Sequence, residues 1–214
     1  MKLRGTPDQI LDEMVKLAPD VSGALRSAHD LMRSAKGHIG AHQAACLYVL
    51  ARAYAFKGAD ILEIGTLVGY SASIIAEAAP PASIITLNPN RAEAAIAQKA
   101  LARFQNVRVE PFKSWEFIHW HEGDFDMIFV DGDHNRILAD MPWWDRLKVG
   151  GLMLWHDYTP EGAPHPCKPV YDTVNAWRDK LGRPLDIEVI DSDGAGLVGL
   201  YRREGEKYEV GSRA

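Results

Sequence analysis

The sequence predicts an α/β fold built on a doubly wound, mainly parallel seven-stranded sheet, with a helical cap before the sheet and an antiparallel hairpin at its C-terminal end. From residue 59 onward, short apolar, β-prone segments alternate with helical segments, which is typical of a parallel sheet covered on both faces. The last two strands are joined only by residues 191–195. So short a connection cannot hold a crossover helix and therefore predicts a hairpin.

The length of 214 residues is most simply explained by a single domain, divided into a helical cap at 1–58, a core at 59–203 and a polar tail at 204–214. With 47% hydrophobic and 25% charged residues, the sequence is typical of globular proteins. Its formal net charge of −5 offers no broad basic surface to a phosphate backbone, so nucleic acid is not expected as a partner. A small-molecule partner fits this charge better.

Cysteine content and hydropathy bear on the cellular location. Cys46 and Cys167 are too few for a disulfide framework, and no leader-like segment opens the chain, so we expect a cytoplasmic location. The longest apolar stretch, residues 41–56, carries polar and charged side chains, so no membrane contact is expected. A homodimer is left open as the oligomeric state.

Three helices are predicted in the cap. A capping threonine followed by a proline, Thr6-Pro7, predicts the start of the first helix, which continues at helical spacing to Leu17. The second is predicted over residues 21–36. The third, nearly all apolar, is predicted over 41–56, and Gly58 separates it from the first strand.

Seven segments of the core predict strands, because β-prone apolar runs are bounded there by glycine, proline or polar residues. These segments are 60–64, 83–88, 106–110, 125–131, 152–155, 185–190 and 196–202. Helices are predicted over 72–79, 91–104, 136–147 and 168–181, with a turn at Gly150-Gly151. The proline-rich composition of residues 158–169 predicts a loop.

The segment 60–71 predicts a strand, a glycine turn and the start of a helix. Gly65 and Gly69 would allow a sharp turn and a close approach of the backbone to a ligand. The free N–H groups at the start of the next helix would point into the same crevice. The carboxylate of Glu63 lies in an otherwise apolar strand, which is costly unless it meets a cation or hydrogen-bond donors. We therefore expect Glu63 to face a ligand.

Polar residues collect where the other strands end, and ligands of open α/β sheets bind at that edge. Besides Glu63 and Gly65, the residues placed there are Asn88, Lys113, Ser114, Asp131, Gly132, Asp133, His134, His156 and Asp157. This collection predicts a binding site at the carboxyl edge of the sheet.

Residues 63–71, with the sequence Glu-Ile-Gly-Thr-Leu-Val-Gly-Tyr-Ser, are similar to the first motif of the small O-methyltransferases such as the catechol and caffeoyl-CoA types. Residues 125–134, 147–151 and 155–158 are similar to the branch that contains sugar and macrolide-sugar O-methyltransferases. The chain thus resembles a class I methyltransferase over about residues 58–203. The resemblance implies a Rossmann-like methyltransferase fold and methyl transfer from S-adenosylmethionine to an oxygen of a small molecule, such as a sugar or a phenol.

The resemblance also implies the cofactor-binding residues. They are Glu63, Gly65, Thr66, Gly69, Tyr70, Ser71, Asn88, Ser114 and Asp131. In such enzymes an acid at the end of the second strand usually holds the ribose hydroxyls. Here Asn88 stands at that place, or Thr86 if the register slips by two, and an amide can still accept from and donate to a hydroxyl.

Two mechanisms are open for the catalytic step, in which the acceptor must be positioned in line and deprotonated. Asp131 and Asp157 could together hold Mg²⁺ through oxygen and so lower the pKa of an acceptor hydroxyl; in the family that the chain resembles, acids at these positions are metal ligands. In the competing mechanism His134 or His156 acts as general base. The catalytic candidates are therefore His134, His156 and Asp131.

Two other classes of protein are weighed against an enzyme of this kind. A non-catalytic protein could keep the fold and still bind S-adenosylmethionine or a nucleotide, and the absence of an acid at Asn88 favours it slightly. A nicotinamide dehydrogenase is disfavoured, because the turn from Gly65 to Gly69 lacks the three-glycine fingerprint.

Overall fold

The structure, a computed structural model, describes residues 1–31 and 39–208. Its strands are β1 (Lys2–Gly5), β2 (Asp60–Ile64), β3 (Ser83–Leu87), β4 (Val107–Glu110), β5 (Phe125–Val130), β6 (Leu147–Trp155), β7 (Ile187–Asp191) and β8 (Gly196–Tyr201). Its α-helices are α1 (Pro7–Leu17), α2 (Val21–Leu31), α3 (Ala41–Arg52), α4 (Tyr70–Ala78), α5 (Arg91–Leu101), α6 (Ser114–Phe117), α7 (Ile137–Asp140) and α8 (Lys168–Leu181), with 3₁₀ turns at His134–Arg136 and Met141–Arg146.

The strands form one sheet in the order β1-β7-β8-β6-β5-β2-β3-β4. From β4 to β6 all neighbours are parallel, whereas β8 is antiparallel to both β6 and β7. The mainly parallel sheet and its C-terminal hairpin are therefore confirmed. The chain runs from β2 to β3 in one direction and places β5 on the other side of β2, so the strand order reverses there. A crevice opens at such a reversal, beyond the carboxyl ends of the strands.

The prediction of seven strands was wrong by one, because β1 was not expected in the helical cap. This strand of four residues carries a lysine and an arginine and is too short to show a clear period. It pairs in parallel with β7 and is stabilised there by Lys2, whose Nζ lies 2.5 Å from Glu188 Oε1. The hairpin consequently does not close the edge of the sheet, since β1 lies outside it.

The predicted helix over residues 136–147 is also corrected. Only α7 is α-helical there, and 3₁₀ turns flank it, because Pro142 has no N–H to donate. Trp143 and Trp144, which follow the proline, are completely buried and hold this segment against the sheet. The predicted turn at Gly150-Gly151 lies inside β6, which is longer than expected. A Cβ on Gly151 would lie 2.8 Å from the carbonyl oxygen of Asp126, so a glycine is needed there.

Apolar side chains fill both sides of the sheet. The cap helices α1 to α3 and helix α4 pack on one face, where Met14, Leu47 and Phe129 are fully buried together. The 3₁₀ turns and α8 cover part of the other face with a cluster of tryptophans. The predicted second helix is observed from Val21 to Leu31, and its expected end at residue 36 lies outside the described residues. No helix within residues 1–31 and 39–208 is long and apolar enough to cross a membrane.

Candidate functional site

The loop after β2 is built around Gly65. Its φ of +108° is readily adopted only by glycine, and a Cβ at this position would lie 2.0 Å from the carbonyl oxygen of Asp131. The N–H groups of Gly65 and Thr66 both donate to the Leu87 carbonyl at 3.0 Å, which joins the ends of β2 and β3. Gly69, with φ +99°, forms the N-cap of α4. The strand, glycine turn and helix predicted from the sequence are therefore confirmed.

Asn88 lies at the end of β3, but its side chain is engaged by the protein. Its amide nitrogen donates to the Leu67 carbonyl at 2.8 Å and to Glu93 at 3.1 Å, and its amide oxygen accepts from the Asn90 N–H at 2.9 Å. Leu67 has a φ of +47°, so Asn88 supports an unfavourable backbone conformation in the glycine loop. Its role in ribose binding stays a prediction, as does that of Thr86, which is fully buried.

Glu63 is completely buried beneath the same loop. The Thr86 hydroxyl donates to one carboxylate oxygen and lies 2.5 Å from the Thr66 hydroxyl. The other oxygen, Oε1, has no hydrogen-bond partner among the described residues. Burial raises the pKa of Glu63 to about 7, although the Ser71 and Thr86 hydroxyls lower it. A buried oxygen without a donor is costly, but Glu63 is 0% exposed and lines neither cavity at this edge of the sheet, so its contact with a ligand stays a prediction.

Asp131, His156 and Asp157 come together at the carboxyl ends of β5 and β6. The His156 Nδ1 lies 2.9 Å from Asp131 Oδ1 and 3.2 Å from Asp157 Oδ2. The backbone fixes this arrangement, since the N–H of Asp131 donates to Ile64 and that of His156 donates to Val130. The sequence correctly predicted that these strand ends would be adjacent.

The second ring nitrogen of His156 contacts a residue that sequence reasoning missed. Gln43, in α3, is 5% exposed, and its amide oxygen lies 2.8 Å from His156 Nε2. Both ring nitrogens of His156 therefore face oxygen acceptors, which favours the doubly protonated ring. A buried glutamine in a nearly apolar helix was the available signal. Its partner lies 113 residues away in the sequence, so the partner could not be inferred.

His134 has different partners from His156, and its side chain is partly exposed to the crevice. Its Nε2 lies 2.9 Å from Asp157 Oδ2 and 4.0 Å from Asp131 Oδ1, so it donates a hydrogen bond to Asp157 and interacts with Asp131 through charge alone. Its side chain is 39% exposed. No hydrogen bond from its Nδ1 to another described residue is present. His134 thus has one nitrogen held by a carboxylate and one available.

The two carboxylates and two imidazoles strongly shift one another's pKa values. Asp131 and Asp157 raise the pKa of His134 to about 10 against the effect of burial. Burial lowers the pKa of His156, but Asp131 and Asp157 outweigh it and raise that pKa to about 10. Burial raises the pKa values of both carboxylates, yet the histidines bring them below the usual range. The cluster is therefore two carboxylates neutralised by two imidazolium ions at neutral pH.

Two cavities open at this edge of the sheet and meet at Gly65 and Gly132, which line both. The larger, about 470 Å³, is lined by Thr66, Tyr70, Ser71, Asp131, His134, His156 and Asp157, among others. The smaller, about 240 Å³, is lined by Leu87, Pro89, Phe112, Ser114, Trp115 and Asp140, among others. The structure thus brings most of the predicted site residues to two neighbouring cavities that share Gly65 and Gly132. Asp140, like Gln43, was missed by sequence reasoning.

A cavity of about 870 Å³ lies elsewhere, between α8 and the β1–β7 edge of the sheet. Tyr158 and Asp191 line it, whereas the histidines and the two carboxylates of the cluster do not. His42, a histidine of α3, lies 3.2 Å from Asp191 and lines neither of the two cavities that share Gly65 and Gly132. Size alone therefore does not mark the site.

Comparison with known proteins identifies a domain family in the middle of the chain. Residues 62–158 match the family of methyltransferase domains. Over 106 residues the chain is 34% identical to a catechol O-methyltransferase from Niastella koreensis, which covers 46% of this chain and 48% of that protein. The chain therefore matches about half the length of this curated relative.

Solved structures extend the likeness to most of the chain. An O-methyltransferase of tomaymycin synthesis from Streptomyces achromogenes, in complex with S-adenosylmethionine, is 22% identical with a TM-score of 0.63 and covers 85% of this chain and 89% of its own. An O-methyltransferase from Bacillus cereus, in complex with S-adenosylhomocysteine, is 19% identical with a TM-score of 0.63 and covers 91% of both chains. At these identities the likeness shows the fold.

Proposed function

Because residues 62–158 match a methyltransferase domain, we propose that the chain transfers the methyl group of S-adenosylmethionine to an oxygen of a small molecule such as a sugar or a phenol. The observation that carries this proposal is the pair of cavities joined at Gly65 and Gly132, with the histidine–carboxylate cluster in the larger one. A cofactor with a base at one end and a charged amino acid at the other fits two neighbouring cavities of this kind.

The residues of the glycine loop fit such a cofactor. The backbone at Gly65 leaves no room for a side chain, which is the geometry required where a ligand approaches the main chain closely. Tyr70 and Ser71 open α4, whose first N–H groups favour a carboxylate. Phe112 and Trp115 offer aromatic surfaces to a base in the smaller cavity. When bound, the cofactor supplies an electrophilic methyl group on its sulfonium.

His134 is the general base in this proposal. His156 has both nitrogens engaged by Asp131 and Gln43, whereas His134 has a free Nδ1 in the larger cavity. In the neutral form of the ring, Asp157 accepts from Nε2–H, which leaves the lone pair on Nδ1 to take the proton of an acceptor hydroxyl. In this proposal Asp131 and His156 balance the charge around His134 and Asp157 and keep these two side chains in place.

The donor set fits Mg²⁺ less well than it fits the histidine mechanism. Asp131, His156 and Asp157 offer one ligand atom each within 4.8 Å of one another, but Mg²⁺ prefers oxygen ligands and the third atom is an imidazole nitrogen. That nitrogen and the nearest carboxylate oxygens are already hydrogen-bonded to each other. The positive charge that a metal would bring is supplied here by the two histidines.

Methyl transfer is expected to become faster as the pH rises, because only neutral His134 can accept a proton. Its folded pKa of about 10 lies above the ordinary value of 6.5, so the neutral fraction grows about tenfold per pH unit below pH 10. The measurement is kcat between pH 6 and 9 with saturating cofactor and acceptor. A rate that is constant across the whole range from pH 6 to 9 would show that His134 is not the base.

The proposed function is tested by titration calorimetry and a transfer assay. S-adenosylmethionine should bind, and S-adenosylhomocysteine should form when catechols or sugars are added as acceptors. Activity should persist in EDTA, since the histidine mechanism needs no metal. Absence of binding heat with S-adenosylmethionine would contradict the function, whereas activity lost in EDTA and restored by Mg²⁺ would contradict only the histidine mechanism.

One observation favours the alternative of a non-catalytic binding protein. An acid that would hold the ribose hydroxyls is expected at Thr86 or Asn88, but both of these side chains are uncharged. The Thr86 hydroxyl donates to Glu63, and the Asn88 amide donates to the glycine loop. This alternative predicts that S-adenosylmethionine binds and that no S-adenosylhomocysteine forms with any acceptor class. The same calorimetric and transfer experiments separate it from the enzyme.

A further inference from the structure

Asp140 is a buried acid that the mechanism does not use. It ends α7, is 2% exposed, and lines the smaller cavity together with Ser114. The Ser114 hydroxyl donates to Asp140 Oδ1, and this is the one hydrogen bond that its side chain makes within the described part of the chain. A buried carboxylate normally needs several donors or a cation, so this set of partners is incomplete.

The neighbouring charges do not complete it. Arg136 and Lys113 line the same cavity, but Arg136 lies 3.8 Å from Asp133, and Lys113 lies 3.6 Å from Glu116. No ion pair to Asp140 is present among residues 1–31 and 39–208. Asp140 also does not cap the 3₁₀ turn that follows it, because no side-chain capping bond is formed there.

The second carboxylate oxygen of Asp140 lies beside Gly132, which lines the same cavity. A Cβ built on Gly132 would be in ordinary van der Waals contact with Asp140 Oδ2, at 3.9 Å. Aromatic rings border the same space: Trp115 lines the cavity with Arg136 centred 5.2 Å from its ring, and Phe112 is 39% exposed. The cavity thus offers flat apolar surfaces around a single deep acceptor.

We propose that Asp140 reads the exocyclic amino group of the cofactor's adenine, accepting a hydrogen bond at Oδ2 while Ser114 holds Oδ1. This inference rests on the proposed function, since it assigns the base to the smaller cavity. An amino group supplies the donor that the buried carboxylate lacks. A base with a carbonyl oxygen at the same position would instead place two acceptors against each other.

The ionisation of Asp140 is compatible with this role. Burial, together with the charge of Asp133, raises its pKa to about 6, although the Ser114 hydroxyl lowers it. The group is therefore largely an anion, and hence an acceptor, at neutral pH.

The test compares two ligands by calorimetry: S-adenosylhomocysteine and S-inosylhomocysteine, in which a carbonyl replaces the amino group. The wild-type protein should bind the adenine compound about 10- to 100-fold more tightly, as expected for one hydrogen bond to a charged group. In Asp140→Asn the ratio of the two affinities should fall to about threefold or less. An amide can accept from the amino group of adenine or donate to the carbonyl oxygen of the other base. A ratio of affinities reports only folded, binding-competent protein, so a partial loss of stability does not obscure it.

Asp172→Asn is the matched control, since Asp172 lies in α8 outside both of these cavities and its side chain is 54% exposed. It should keep the wild-type preference. An unchanged preference in Asp140→Asn, or an equal loss in both variants, would overturn the inference while leaving the proposed function intact. Failure of wild-type protein to bind either ligand would overturn the proposed function and the inference with it.

Discussion

Replacing His134 by alanine is expected to lower kcat by about 10²- to 10⁴-fold, the usual contribution of a positioned general base. The Kd for S-adenosylhomocysteine should change by no more than about twofold, because the ring is held by Asp157 and not by the cofactor loop. The variant is measured with the best acceptor found in the transfer assay, and cofactor binding is measured separately by calorimetry.

Asp157→Asn tests the orientation of that ring. An amide can still receive a hydrogen bond but lacks the charge that holds the histidine, so kcat should fall in this variant as well. The double variant should be little worse than His134→Ala alone, because the two side chains act as one unit. His119→Ala, at an exposed histidine outside the cavities, is the control and should keep full activity. A less than tenfold loss in His134→Ala would exclude it as the base.

Gly65→Ala is expected to abolish cofactor binding and to lower the free energy of unfolding by more than about 3 kcal/mol. The new Cβ would lie 2.0 Å from the Asp131 carbonyl oxygen, and the φ of +108° is unfavourable for alanine. Relief of this clash requires the ends of β2 and β5 to separate, and the two cavities meet there. Chemical denaturation and calorimetry with S-adenosylhomocysteine measure the two effects.

Gly58→Ala is the control that separates the cost of the backbone conformation from the cost of a steric clash. Gly58 has a comparable φ of +90°, but a Cβ there meets nothing within 4 Å. This control should lose only about 1–2 kcal/mol, the cost of a left-handed conformation for an L-residue, and should bind cofactor normally. Equal losses of stability in the two variants would mean that the close approach to Asp131 is unimportant.

The sequence by itself determined the elements in which a local pattern carries the information. The strand, glycine turn and helix at residues 60–71 follow from apolar spacing and from two glycines within five residues. The acids that end β5 and β6 were identified in the same way, since parallel strands bring their carboxyl ends to one edge. The location in the cytoplasm, the oligomeric state and the acceptor stay predictions, because no local pattern reports them.

Elements without a clear local period were predicted less well. The strand β1 has only four residues, and its position beside β7 depends on a pairing across 186 residues of sequence, such as Lys2 with Glu188. The segment around Pro142 has a helical pattern of apolar residues, yet burial of Trp143 and Trp144 and the missing N–H produce 3₁₀ turns instead. In both cases tertiary packing outweighs local preference.

Only the tertiary structure decided the chemistry of the site. The sequence left His134 and His156 as equal candidates for a base, and the contact of Gln43 with His156 distinguishes them. It placed Asn88 toward a ligand, whereas the fold engages that amide with the glycine loop. Hydrogen bonds of this kind join residues far apart in the chain, and a side chain's free atoms are defined only when all its neighbours are in place. Sequence pattern therefore indicated the candidate site, and three-dimensional packing determined which of its side-chain atoms lack a partner within the protein.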